Sequence, residues 1–121
     1  MLKLKTLSAK DMFEVGHAAF TPFRFALLTD IHVTNKGTAF EDLQNSINQV
    51  NKTQGIDFVL VTGDITEEGD RASMKKVKTA LGQLKVKYYI IPGNHETKWS
   101  ESGVTDFEHI FGGERNENAL L

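Results

Sequence analysis

Three short runs, Asp30 Ile31 His32, Gly63 Asp64 and Gly93 Asn94 His95 Glu96, each follow a short apolar stretch. Carboxylate, imidazole and amide oxygen together form a donor set for divalent cations such as Mn²⁺, Fe or Zn²⁺. Asp30 and His32 stand two residues apart, so they extend from one strand in the same direction and can hold one cation. Asp64 can bridge two cations through its two oxygens, and Gly63 lets the backbone come close without a Cβ in the way. Asn94 offers a neutral amide oxygen to a second cation, and Gly93 allows a sharp departure from the strand before it. All three runs sit where the ligand crevice of an open parallel sheet lies, beyond the carboxyl ends of the strands. The pattern reads as a metal site suited to phosphate.

Each run alone has a blander reading. Asp or Asn after Gly is more often a turn or a helix cap, and a lone histidine such as His32 is more often a loop residue bonded to backbone. His95 and Glu96 could simply open the segment after the third strand, where an acidic residue favours a helix start. The inference rests on three runs in the same phase on three successive strands.

The elements that must position these runs are legible in the apolar pattern. Phe23 to Thr29, Ile56 to Thr62 and Val86 to Ile91 are short, β-branched or aromatic, and nearly continuous in apolarity, as in a parallel sheet covered on both faces. A helix from about Ala39 to Lys52 presents Phe40, Leu43, Ile47 and Val50 on one stripe, with a capping box expected between Thr38 and Glu41. A second helix, about Arg71 to Leu84, repeats the stripe with Met74, Val77, Leu81 and Leu84; Asp70 is its N-cap and Gly82 weakens its end. A third, about Val104 to Phe111, stops at Gly112. In a β-α-β-α-β order running in one direction, both crossover helices lie on one face of the sheet. Phe25, Leu27, Phe58 and Leu60 then point to a face that nothing in these elements covers.

At 121 residues the chain makes one domain, and its 40% hydrophobic and 25% charged residues are those of an ordinary globular α/β protein. A net charge of −2 argues against nucleic-acid binding by counterion release. With no cysteine, neither a disulfide framework nor a thiolate site is possible, so any metal must use oxygen and imidazole. Apolar runs such as Phe58 to Val61 are far short of the ~20 residues that span a bilayer. Residues 1–22 carry no clear periodicity and read as a leader or irregular arm; residues 23–121 read as the folded domain. A cytoplasmic location is expected, or an exported one if a signal peptide has been removed.

The order and spacing of the three runs resemble the first signature blocks of the calcineurin-like metallophosphoesterases, over about Arg24 to Gly113. The resemblance implies the amino-terminal part of a four-layer α-β-β-α sandwich with a mainly parallel sheet, whose second sheet would cover the bare face. It implies two divalent ions (Mn, Fe or Zn): Asp30 and His32 on the first, Asp64 bridging, Asn94 on the second. Between the ions a water-derived nucleophile would attack the phosphorus of a phosphomonoester or phosphodiester. The catalytic assignments it implies are Asp64 and His95, with His95 near the leaving group, oriented by a carboxylate such as Asp64, and Glu96 behind it.

The family pattern continues with another histidine and a Gly-His-x-His block that this chain lacks, and neither His17 nor His109 is a replacement. The domain is therefore expected to be truncated at its C-terminus, the tail Glu114 to Leu121 resembling an apolar element at its start. Three ligands for the first ion and two for the second imply at most one ion, weakly held, and little activity. Either a homo-oligomer or the remaining half of the domain is the expected partner, besides a phosphate-ester substrate. The alternative is a non-catalytic interaction or oligomerising module that uses the exposed sheet face.

Overall fold

The computed structural model describes residues 20–99 and 101–112, so the reading of residues 1–19 as an arm, His17 and the tail Glu114 to Leu121 lie outside the described residues. Three parallel strands, β1 (Phe25–Leu28), β2 (Phe58–Thr62) and β3 (Lys87–Ile91), pair in the order β1-β2-β3. Ala26 pairs with Val59 and Val59 with Tyr88; Leu28 pairs with Val61 and Val61 with Ile90. The fold is thus α/β with an all-parallel sheet, as the near-continuous apolar runs predict. Strands are shorter than expected because side chains and turns intervene at their ends. The Arg24 N–H donates to the Asp57 carboxylate at 2.9 Å, and Asp30 turns into the left-handed region at φ 52° just past β1.

Two helices, α1 (Ala39–Lys52) and α2 (Arg71–Leu81), cover one face. Leu43 and Ile47 of α1 and Met74, Val77 and Leu81 of α2 are buried with Val59, Val61, Tyr88 and Ile90, while Phe40, Val50 and Leu84 pack around them. The opposite face holds Phe25, Leu27 and Ile91, which are 46%, 55% and 43% exposed. Phe25 stacks on Phe58 at 5.4 Å between ring centroids, and Phe58 meets Tyr89 edge-on at 5.8 Å. Among the described residues this aromatic layer is left exposed, as side-chain alternation predicts.

Helix ends depart from expectation. The Thr38 hydroxyl donates to the Asp42 carboxylate at 3.2 Å instead of capping a backbone N–H, so the Thr38–Glu41 capping box does not form. Glu41 and Asp42 still place negative charge in the first turn, where the helix dipole favours it. Asp70 does cap α2, accepting from the Ser73 N–H at 2.9 Å. That helix ends at Leu81, not Leu84, because Gly82 opens a run of tighter turns in which the N–H groups of Gln83 and Leu84 bond carbonyls three residues back. Beyond β3 lie the single turn α3 (Asn94–Thr97), the short α4 (Gly103–Phe107) and a wider π-helical segment, Glu108–Gly112. The expected regular helix from Val104 to Phe111 widens where Lys78 donates to the Ile110 carbonyl at 2.5 Å and Phe107, Ile110 and Phe111 are buried together. An ion pair at 2.9 Å between Arg71 and Asp106 docks α4 on α2.

The loops beyond β1 and β2 stay hydrogen-bonded to each other after the sheet ends. The N–H groups of His32 and Val33 donate to the carbonyls of Asp64 and Ile65, and Glu67 N–H returns to the Val33 carbonyl, each at 2.9 Å. Val33 and Ile65 are fully buried and pin this zipped pair to the core. Glu96 of α3 locks the third loop to them: its buried carboxylate accepts from the Thr66 N–H at 2.9 Å, the Thr66 hydroxyl at 2.8 Å and the Gly93 N–H at 2.9 Å. A buried carboxylate is tolerated only with such partners. Replacing Glu96 by Ala strands three donors at about 1 kcal/mol or more each, so urea denaturation should show a loss of ~3 kcal/mol; a loss below ~1 kcal/mol would mean that the network does not hold the loops.

Candidate metal centre

Among the described residues, the non-glycine residues with positive φ are Asp30, His32 and Asp64, at 52°, 51° and 51°. Left-handed backbone costs a non-glycine residue on the order of 1 kcal/mol, and it persists only where the surroundings impose it. Here the zipped loops impose it at three of the residues singled out by their chemistry. Asp30 and His32 are therefore brought to one side by turn geometry, not by lying two apart on an extended strand as the spacing suggests.

Asp64 occupies the gap between the ends of β2 and β3. A Cβ on Gly93 would overlap the Asp64 carboxylate oxygen and its backbone nitrogen, and one on Gly63, whose φ is +99°, would lie 2.9 Å from the Gly93 backbone. Both glycines are required by contact, and Gly63 also by its dihedral. The Asp64 Oδ1 accepts the His95 backbone N–H at 3.1 Å.

One ligand atom from each of His32, Asp64 and His95 lies within 4.8 Å of the others, which is the reach of a single cation. The two imidazoles meet edge to face at 4.6 Å. Asp30 flanks this trio: its Oδ1 is 3.7 Å from His32 Nε2, and its Oδ2 accepts from the Thr29 hydroxyl at 2.8 Å. On the other flank, the Asn94 amide oxygen faces both Asp64 carboxylate oxygens at 3.2 Å while its NH₂ faces the Trp99 indole N–H. Turned over, the amide donates to both Asp64 oxygens and accepts from the Trp99 indole N–H, the orientation that gives every one of these groups a partner. His32 Nδ1 is buried 3.0 Å from a Glu67 carboxylate oxygen, yet off the direction of a hydrogen bond, so it has no hydrogen-bond partner. Carboxylate and amide oxygens gathered with two imidazoles are a donor set that fits a divalent cation.

His95 is held from two sides. Its Nδ1 is 2.6 Å from the Glu67 carbonyl, which can only accept, so Nδ1 carries the proton and Nε2 is left free. That bond raises the pKa of His95 above the ordinary histidine value; desolvation opposes the rise, and the Asp64, Glu67 and Glu96 carboxylates reinforce it. Trp99 stacks on the ring at 4.7 Å and 9°. The orienting group is thus a carbonyl and an indole, where the sequence suggests a carboxylate. Sequence reasoning passes over both Glu67 and Trp99. His109 is exposed on the π-helical segment and takes no part.

Residues 23–119 match the family model described as calcineurin-like phosphoesterase. The chain is 31% identical over 102 residues to a probable glycerophosphodiester phosphodiesterase of Arcobacter nitrofigilis, a match covering 78% of this chain and 37% of that protein. It is 44% identical over 43 residues to a probable cyclic nucleotide phosphodiesterase of Vesicomyosocius okutanii, covering 36% of this chain and 18% of the relative. A probable cyclic nucleotide phosphodiesterase of Coxiella burnetii is 24% identical over 78 residues, covering 60% of this chain and 32% of its own length. The chain therefore spans well under half the length of these relatives. With the family model covering most of its length and the signature residues gathered at the strand ends, the chain belongs to the calcineurin-like phosphoesterases.

Proposed function

We propose that this chain carries the amino-terminal part of a metal-dependent phosphoesterase site that acts on phosphodiesters. The observation that carries the reading is the gathering of donors around Asp64: His32 and Asp64 come within one cation's reach with His95 beside them, and Asp30 and Asn94 stand on the two flanks. Asp30, His32 and Asp64 would hold one ion, and Asp64 with Asn94 a second. Mn²⁺, Fe and Zn²⁺ all suit these donors. Divalent ions there supply positive charge against phosphoryl oxygens and make water a nucleophile near neutral pH. The chain's own contribution is positional. Asp64 is held between two glycines, and with Nδ1–H fixed on the Glu67 carbonyl His95 would present Nε2 to a leaving oxygen, donating to it when the ring is protonated. The relatives' names favour phosphodiesters over monoesters as substrates.

A second reading, an interaction module, is favoured by the aromatic sheet face, where Phe23 and Leu27 are 48% and 55% exposed. Size-exclusion chromatography separates it: a stable oligomer without hydrolysis supports it, and a compact monomer speaks against it.

On the main reading, the purified chain loaded with Mn²⁺ should retain one ion, with little hydrolysis of an aryl phosphodiester; two ions with turnover would contradict the count of ligands proposed here, and no ion at all would contradict the site. Asp64→Ala should weaken Mn²⁺ binding by about 100-fold or more by removing the shared carboxylate. Gly93→Ala should weaken it by about 10-fold or more, because the new methyl displaces Asp64. Calorimetric titration of both variants checks this, and unchanged affinity in either would sink the assignment.

A further inference from the structure

Trp99 is the chain's one tryptophan, and it is 64% exposed. What it does touch is the candidate centre. Its ring lies on His95 at 4.7 Å and 9°, and its Nε1 is 3.2 Å from the Asn94 amide. An indole N–H can only donate, and of the two amide termini only the oxygen can accept. Asn94 has a single amide oxygen for two claimants, the Trp99 N–H on one side and the region of the Asp64 carboxylate on the other.

We propose that Trp99 is a positioning residue that competes with a cation for the Asn94 amide oxygen and reports its occupancy. The inference rests on the metal-site reading above. Without a cation, the favoured orientation gives both amide termini partners: NH₂ to the Asp64 oxygens at 3.2 Å each, oxygen to the Trp99 N–H at 3.2 Å. In the other orientation the oxygen faces two carboxylate oxygens and the NH₂ faces a donor, an arrangement that only positive charge near Asp64 makes favourable. Turning Asn94 toward a cation therefore breaks the indole hydrogen bond. The stack on His95 does not depend on the amide and stays. Trp99 thus sets the affinity of the Asn94 side of the centre while steadying the imidazole on the other.

The test uses Zn²⁺, which lacks the paramagnetic quenching of Mn²⁺, added to the metal-free chain, with heat and Trp99 emission followed together. The expected result is an emission change that saturates at the same zinc concentration as the heat. Trp99→Phe keeps a ring on His95 but deletes the N–H, and should bind Zn²⁺ about 3- to 10-fold more tightly, the worth of one competing hydrogen bond. In the metal-free chain, Asn94→Ala should shift the indole N–H resonance in the ¹⁵N spectrum. Heat without an emission change, or a Trp99→Phe variant that binds zinc no more tightly, would overturn this inference while leaving the metal site standing. No heat with any variant would overturn the metal site itself and this inference with it.

Discussion

Asp64 sits where β2 and β3 leave the sheet, in a gap so narrow that neither Gly63 nor Gly93 can carry a Cβ without striking the opposing chain. This close passage is the constraint on which the rest of the centre depends. It fixes the carboxylate beside His95, whose backbone N–H it accepts, and it puts the first residues of α3 next to the loop from β2. Glu96 completes the arrangement from beneath by binding Thr66 on one loop and Gly93 on the other. A buried carboxylate is an expensive way to join two loops, yet it takes up three donors, two of them buried, which an apolar residue could not do.

The same region concentrates backbone strain. Asp30, His32 and Asp64 all hold left-handed dihedrals, and the energy that offsets them comes from outside the site. The paired backbone between residues 32–33 and 64–65 and the full burial of Val33 and Ile65 supply it. Below lies the ordinary α/β core of Leu43, Ile47, Met74 and Val77 against the sheet. Stability is built on the helix-covered face, and chemistry is gathered at the strand ends.

Much of this is visible in the sequence, for uneven reasons. The strands, the two covering helices and the bare aromatic face follow from apolar runs and side-chain alternation, which depend on local geometry alone. The donor residues stand out because carboxylate, imidazole and amide recur at three strand ends in phase. Asp30 and His32 are the right pair for a different reason from the one spacing suggests, since their common direction comes from turns and not from an extended strand. Thr38 had two available partners, and its hydroxyl went to Asp42. The Glu67 carbonyl reaches His95 across 28 residues of chain, and Trp99 reaches both His95 and Asn94; such contacts depend on where loops land, which no local pattern encodes.

Family membership and geometry meet at one claim, that the oxygens and imidazoles around Asp64 are arranged for a cation. Anomalous diffraction from crystals of this chain soaked in Mn²⁺ tests it most directly, because it locates the ion independently of any activity. The account predicts a peak within coordination distance of Asp64 and at least one of His32, His95 and Asn94. A well-diffracting soaked crystal with no peak there, or with manganese bound only elsewhere, would contradict it.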